Sequence, residues 1–191
     1  MKIVFATNNQ HKVDELRAVL PPQFEVITLK EARIDIDIPE PHYTLEANAE
    51  EKATTIYHLT GTDCFSEDTG LEVDALNGEP GVQSARYAGD EKLFQKNVEK
   101  LLRNLAGKED RRAQFRTVIC LIREGEINFF EGICRGQITG EQRGSEGFGY
   151  DPVFIPDGAD RTFAEMRMEE KNKYSHRRKA VDKLVTFLRN F

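Results

Sequence analysis

No run in this sequence approaches the roughly 20 consecutive apolar residues of a membrane-spanning helix, so no membrane partner is expected. Tryptophan is absent, and the three cysteines, Cys64, Cys120 and Cys134, sit in apolar stretches without paired spacing. That argues against a disulfide framework or a thiolate zinc site and makes core filling their expected use. An excess of positive charge is missing too: 27 Lys and Arg stand against 33 Asp and Glu, a formal −6. No nucleic-acid partner is expected, and any polyanion must be met by a local group of cations. The opening Met1 to Ala6 lacks the length and cleavage site of a leader peptide and reads as a first strand, which points to the cytoplasm. What is left is ordinary for a packed globule: 191 residues, 39% apolar and 31% charged, enough for one large domain or two intimate lobes.

The stretch that organises the rest is Ser66-Glu67-Asp68-Thr69-Gly70, where apolar Cys64-Phe65 breaks into two carboxylates, a hydroxyl and a glycine. Neighbours in a strand face opposite sides, so Glu67 and Asp68 are not both expected in a core. Gly70 allows a sharp exit that leaves them at a sheet edge. Open α/β sheets hold their ligands there. Paired carboxylates beside a hydroxyl suit a hard cation such as magnesium, with one carboxylate left to take a proton from water; a solvated acidic turn has the same composition.

Upstream, Lys2 to Ala6 reads as a strand and Val13, Leu16 and Leu20 as one face of a helix ended by Pro21-Pro22. Between them, Thr7-Asn8-Asn9-Gln10-His11-Lys12 puts backbone N–H groups and an ammonium at a helix N-terminus, an arrangement that holds phosphate or simply caps the helix. Phe24 to Leu29 reads as a second strand, Ile34, Ile36 and Ile38 alternate with Asp35 and Asp37, and Pro39-Glu40-Pro41 holds Glu40 outside regular structure. Thr44 to Thr60 has helical spacing, with Leu45, Ala49, Ala53 and Ile56 as its stripe and Gly61 as its stop. Lys52 draws attention because this helix feeds the strand that reaches Asp68.

Downstream, Lys92 to Leu105 reads as an amphipathic helix whose stripe, Leu93 and Phe94 included, is core. Phe115 to Ile122 and Ile127 to Cys134 form an antiparallel hairpin about Arg123-Glu124-Gly125-Glu126. The glycine-rich Gly144 to Pro152 lets a backbone approach a flat ligand on which Phe148 or Tyr150 stacks, or else tucks those rings into the core. A last helix follows Ser175, with Val181, Leu184 and Leu188 buried. From Lys171 to Lys179 there are five Lys or Arg, one His and no acid. Cations at a helix N-terminus oppose the macrodipole unless an anion offsets them.

Six segments, in order, resemble the inosine triphosphate pyrophosphatase family, hydrolases of non-standard purine triphosphates. They are Thr7 to Lys12, Leu45-Glu46-Ala47-Asn48-Ala49-Glu50-Glu51-Lys52-Ala53, Ser66 to Val73, Pro80-Gly81-Val82-Gln83-Ser84-Ala85-Arg86-Tyr87, Phe148-Gly149-Tyr150-Asp151-Pro152 and Glu170-Lys171-Asn172-Lys173-Tyr174-Ser175-His176-Arg177. The resemblance runs nearly end to end. It implies an α/β fold of two lobes on a long twisted mixed sheet with flanking helices, residues 1–191 as a single domain, an active site in the cleft between lobes, and a homodimer.

It further implies that Thr7, Asn8, Asn9, Gln10, His11 and Lys12 hold the phosphates of a small-molecule nucleotide, and that Asp68 binds magnesium and accepts the proton. Glu40 is the implied second metal ligand, with Glu67 or Glu46 as alternatives. Lys52 and Thr69 would meet substrate, Phe148, Gly149, Tyr150 and Asp151 would clasp the base, and Lys171, His176 and Arg177 would complete the site. Asn8 stands where the family often has Gly, and Ala47 where Glu is frequent. The expected reaction releases monophosphate and pyrophosphate, with donors from Arg177, His176 or a backbone N–H reading the 6-keto oxygen of ITP, dITP or XTP. The rivals are a pyrophosphatase for modified pyrimidine nucleotides and a nucleotide sensor without catalysis.

Overall fold

The computed structural model describes residues 2–190. Its elements are β1 (Lys2–Phe5), α1 (Gln10–Arg17), β2 (Glu25–Thr28), α2 (Leu45–Thr60), β3 (Cys64–Val73), β4 (Pro80–Gly81), α3 (Phe94–Asn104), β5 (Arg112–Arg123), β6 (Glu126–Ile138), β7 (Phe154–Pro156), α4 (Met168–Lys171) and α5 (His176–Leu188). Seven strands form one mixed sheet in the order β2-β1-β3-β5-β6-β7, with β4 beside β3. β1 runs parallel to both β2 and β3, whereas β3–β4 and β6–β7 are antiparallel. Among the described residues no helix is long and apolar enough to cross a membrane.

The chain divides into two compact units. The first takes residues up to Asp68, Thr117–Gly132 and Arg177 onward. Its strands carry an apolar cluster on each face. One joins Phe5, Phe65 and Ile119 to Val13 and Leu16 of α1 and to Val181 and Leu184 of α5; the other joins Cys64, Cys120 and Ile122 to Ala49, Ala53 and Ile56 of α2. Helices on both faces of a sheet are what parallel pairing of β1, β2 and β3 requires, since the crossovers must pass over the faces. α2 is specified locally: Thr44 Oγ1 accepts from Ala47 N at 3.2 Å, and Gly61 closes the helix at φ 64°. Cys64 and Cys120 are filler in this core, their thiols pushed up to about 12 by burial.

The second unit takes Thr69–Arg116 and Ile133–His176. Its core joins Leu71, Phe115 and Phe154 to Val98 and Leu101 of α3 and to Phe163. Ser84 fastens the segment after β4: its hydroxyl accepts from Leu71 N at 2.9 Å and donates to Gly81 O at 2.6 Å, and its carbonyl accepts from Tyr150 Oη at 2.8 Å.

Two expectations change. β3 does not leave the sheet at Gly70 but runs on to Val73, and both Glu67 and Asp68 are buried, because both faces of this central strand are covered. Gly70 instead permits close approach, since a Cβ there would stand 2.6 Å from Gly81 O. The alternation of Ile34, Ile36 and Ile38 marks the half-buried face of an extended segment packed on the α2-side cluster. Leu93 and Phe94 are exposed rather than core, lying where the chain enters α3, whose buried stripe starts at Asn97 and Val98.

Gly70→Ala is expected to cost about 1–3 kcal/mol through that backbone clash, read as a lowered thermal midpoint, whereas Gly140→Ala, with open space around it, should leave the midpoint almost unmoved.

Candidate active site

The period of β3 sorts the functional side chains of the first unit. Cys64, Ser66 and Asp68 face α2; Phe65 and Glu67 face α1 and α5. Ser66 Oγ donates to Ala49 O and fastens the strand to α2.

On the α2 face, Asn48 and Lys52 stand one helical turn apart on the buried stripe. Asn48 Nδ2 donates to Asp68 Oδ2 at 3.3 Å and, at 3.2 Å, to His42 O, while its Oδ1 accepts from His42 N at 2.9 Å. Lys52 Nζ donates to Glu40 Oε1 at 2.5 Å and to the Glu67 carbonyl at 2.8 Å, and lies 3.6 Å from Asp68 Oδ1. Burial alone would lower the Lys52 pKa, but Asp68 and Glu40 together raise it, so this group stays an ammonium.

On the opposite face, Glu67 is 1% exposed and receives Arg177 Nε at 2.8 Å and Arg177 Nη2 at 2.9 Å, with Lys12 Nζ at 3.3 Å. Arg177 Nη1 donates to Glu15, also buried. Burial would raise the Glu67 carboxyl, yet Arg177 and Lys12 overcome it and hold the group at about 2. The Lys12 ammonium lies below its ordinary range because burial and the charges of Lys52 and Arg177 outweigh Glu67 and Asp68. An unusual run of cations at the start of α5 is thus offset within the protein: Arg177 by Glu67 and Glu15, Arg178 by Asp182 at 2.8 Å.

The polar loop before α1 is held by its own side chains. Asn9 Oδ1 caps the helix, accepting from Lys12 N at 3.3 Å, and Thr7 Oγ1 accepts from Asn9 N at 3.2 Å. Asn8 Nδ2 donates to Ile36 O at 2.8 Å, Gln10 Nε2 to Asp14 Oδ1 at 2.7 Å, and His11 is exposed in the first turn. This loop follows the C-terminal end of β1, and Asp68 lies within β3 just beyond Phe65, the last residue of β3 paired with parallel β1. The chain departs from that pair in opposite directions, a switch point where such sheets bind ligands.

The second unit holds a different set. Lys171 Nζ donates to Asp151 Oδ2 at 2.6 Å, both buried, and lies 5.5 Å from the Phe148 ring centre. Asp151 Oδ2 also accepts from Phe148 N at 2.9 Å, which curls Phe148-Gly149-Tyr150-Asp151 around one carboxylate. A side chain at Gly147, φ 73°, would collide with that carboxylate, its Cβ 2.0 Å from Oδ2. Phe148 meets the ring of Phe94 at 5.9 Å, which gives that exposed residue a neighbour. Tyr150 is core, its phenol pKa raised by burial. His176 stacks on Phe115 at 4.7 Å, and Thr69 is half-buried on β3.

The geometry therefore gathers Lys12, Lys52, Asp68, Glu40, Glu67 and Arg177 in the first unit, and Phe148, Asp151, Lys171 and His176 in the second. Two residues escaped the sequence reading. Asn48 was detectable, four residues before Lys52 on one face; Glu15 was not, because its partner lies 162 positions away. Among the described residues no three His, Cys, Asp and Glu side chains are grouped as a metal cage. Asp68 and Glu40 nevertheless converge on one ammonium, and their hard oxygens fit a hard cation.

Glu67→Gln leaves buried Arg177 and partly buried Lys12 short of their counter-charge and is expected to destabilise the fold by about 3 kcal/mol. The folded carboxyl, at about 2 against an ordinary 4.5, binds its proton less readily than the unfolded one, so this stabilisation is complete above pH 4.5 and fades toward pH 2. Denaturant unfolding at pH 7 and pH 3 should show the gap between wild type and variant narrowing in acid.

Comparison with known proteins places these observations. The model of the Ham1 family matches residues 3–187. A protein of Flavobacterium johnsoniae named dITP/XTP pyrophosphatase is 49% identical, covering 98% of each chain, and one of Porphyromonas gingivalis with the same name is 50% identical, covering 98% of this chain and 97% of its own. The solved Ham1 protein of Staphylococcus aureus superposes with a TM-score of 0.90 at 41% identity, covering 100% of this chain and 99% of that one. That of Coxiella burnetii gives 0.91 at 36% identity, with both chains covered in full. Matched along nearly its whole length in sequence and in structure, the chain belongs to the Ham1 family, the likeness its six motifs carry.

Proposed function

We infer that this protein hydrolyses deaminated-purine nucleoside triphosphates, dITP, XTP and ITP, to the nucleoside monophosphate and pyrophosphate. The observation that carries this is the near-half identity, over 98% of both chains, with a protein named dITP/XTP pyrophosphatase. The site chemistry agrees. A triphosphate bears about four negative charges, and cleavage at the α–β link develops more on the departing pyrophosphate, where the Lys12 and Lys52 ammonium groups stabilise it.

Asp68 takes the proton of the attacking water, its carboxylate oriented by Asn48 Nδ2 and facing Lys52. Thr7 to Lys12 hold the phosphates through backbone N–H groups, Thr7 Oγ1 and the Lys12 ammonium. Thr69 meets the substrate beside Asp68. Phe148, Gly149, Tyr150 and Asp151, with Lys171 and His176, take the base, and Arg177 serves the nucleotide through the carboxylate of Glu67. Residues 1–191 act as one catalytic domain.

Asp68 and Glu40 would hold a divalent ion, taken as magnesium, which accepts one or two carboxylates beside substrate phosphates. The chemistry magnesium supplies there is charge withdrawal from the phosphate oxygens. Glu40 is preferred to Glu67 because Glu67 lies on the other face of β3 with both oxygens on Arg177. A cytoplasmic homodimer completes the reading, on the strength of the motif resemblance.

A triphosphate panel with magnesium should give monophosphate and pyrophosphate from dITP and XTP, with kcat/KM at least about 10⁴-fold below theirs for dATP. Equal values for dATP and dITP would overturn the assignment. Asp68→Asn should lower kcat by about 10²–10⁴ or more at little cost in KM, measured by pyrophosphate release.

A further inference from the structure

Beside the loop before α1, at the C-terminal ends of β1 and β2, lies a cavity of about 480 Å³ lined by Thr7, Asn8, Gln10, Thr28, Lys30 and Arg33 among others, with Asp35 as the acid on its wall. That volume is in the range of small-ligand pockets. It borders β1 on the β2 side, whereas Asp68 borders β1 on the β3 side. In a protein with an acidic total, two cations against one anion here is a local reversal of sign.

The chemistry of the wall is anion-directed. Lys12, Lys52, Lys171 and Arg177 all spend charge on protein carboxylates. Lys30 and Arg33 make no ion pair among the described residues. Thr7 Oγ1 accepts from Asn9 N at 3.2 Å and Thr28 Oγ1 from Glu31 N at 3.1 Å, so each hydroxyl keeps its proton to donate.

The turn that presents the two cations is built for position. Ala32 N, Arg33 N and Ile34 N donate to Thr28 O, Lys30 O and Leu29 O, at 2.9, 3.1 and 2.8 Å. Glu31 accepts from Thr28 N at 2.8 Å and is itself held by Arg17 Nη2 at 2.8 Å, so it does not neutralise its neighbours. Arg33 occupies the left-handed region at φ 58°, where a glycine or asparagine is usual, so an arginine here accepts backbone strain while placing a cation on the cavity wall.

We propose that this cavity is a diphosphate subsite, in which Lys30 and Arg33 bind the terminal phosphates of the triphosphate and then the pyrophosphate released. The inference rests on the pyrophosphatase reading and extends it, since Thr7, Asn8 and Gln10 line both the proposed phosphate loop and this cavity. Lys30 and Arg33 are thereby binding residues for the leaving group, giving the enzyme a hold on triphosphates that a diphosphate substrate would lack.

The test is calorimetric titration of inorganic pyrophosphate into the full-length wild type and into Lys30→Ala/Arg33→Gly. Glycine suits φ 58°, so the turn survives while both cations are lost. Tenfold or weaker binding in the double variant is expected, with Lys108→Ala, an exposed cation of the second unit, binding like wild type. A parallel rise in the KM for dITP is expected, and an unchanged KM would overturn the hold on bound substrate. Equal pyrophosphate affinity in wild type and double variant, or an equal loss in Lys108→Ala, would overturn the subsite. A wild type that binds pyrophosphate but leaves dITP intact would instead overturn the proposed hydrolysis alone.

Discussion

The Glu67 carboxylate is the charge on which the first unit depends. It is buried, and it faces a buried guanidinium and a partly buried ammonium. Isolated charges in such surroundings carry a desolvation cost of several kcal/mol each, so the three are tolerable only as a set, with Glu15 as the fourth member. Their common position fixes the start of α5 against α1 and β3, three pieces of chain far apart in sequence. It also leaves Lys12 as a cation short of full compensation, ready to gain from an incoming anion.

Strand alternation then divides labour between adjacent acids. Glu67 looks toward α1 and α5 and is used up in holding cations. Asp68, one residue on, looks toward α2, where Asn48 orients it and Lys52 keeps company with it. The Glu67 carbonyl joins the second group through Lys52, so the peptide linking the two acids is anchored on both faces. The carboxylate proposed for the chemistry is in this way set beside a structural one without either competing for the other's partners. The Asp151–Lys171 pair plays a comparable structural part in the second unit, curling the Phe148 loop about one oxygen.

Legibility in the sequence followed the range of the interaction. α2 could be read from end to end because its cap, stripe and glycine stop are all local, and the β5–β6 hairpin because its turn sits between two β-rich runs. The places of Lys12 at the start of α1 and of Lys52 on α2 were readable for the same reason. What Arg177 does was not: its carboxylate is 110 residues away, and no spacing encodes that. The exit expected at Gly70 failed because a glycine licenses both a bend and a close approach, and only the Gly81 carbonyl across the ladder decides between them.

The fate of the sulfur atoms has a bearing on service under stress. Purine amines are lost to keto groups under nitrosating and acidic chemistry, and agents of that kind also attack ionised sulfur. Cys64 and Cys120 are shut in against α2 with thiols held at about 12, and Cys134 is buried as well. Neither Cys64 nor Cys120 offers a thiolate at neutral pH, so the α2-side core of an enzyme that disposes of damaged nucleotides carries no easy target for the reagents that damage them.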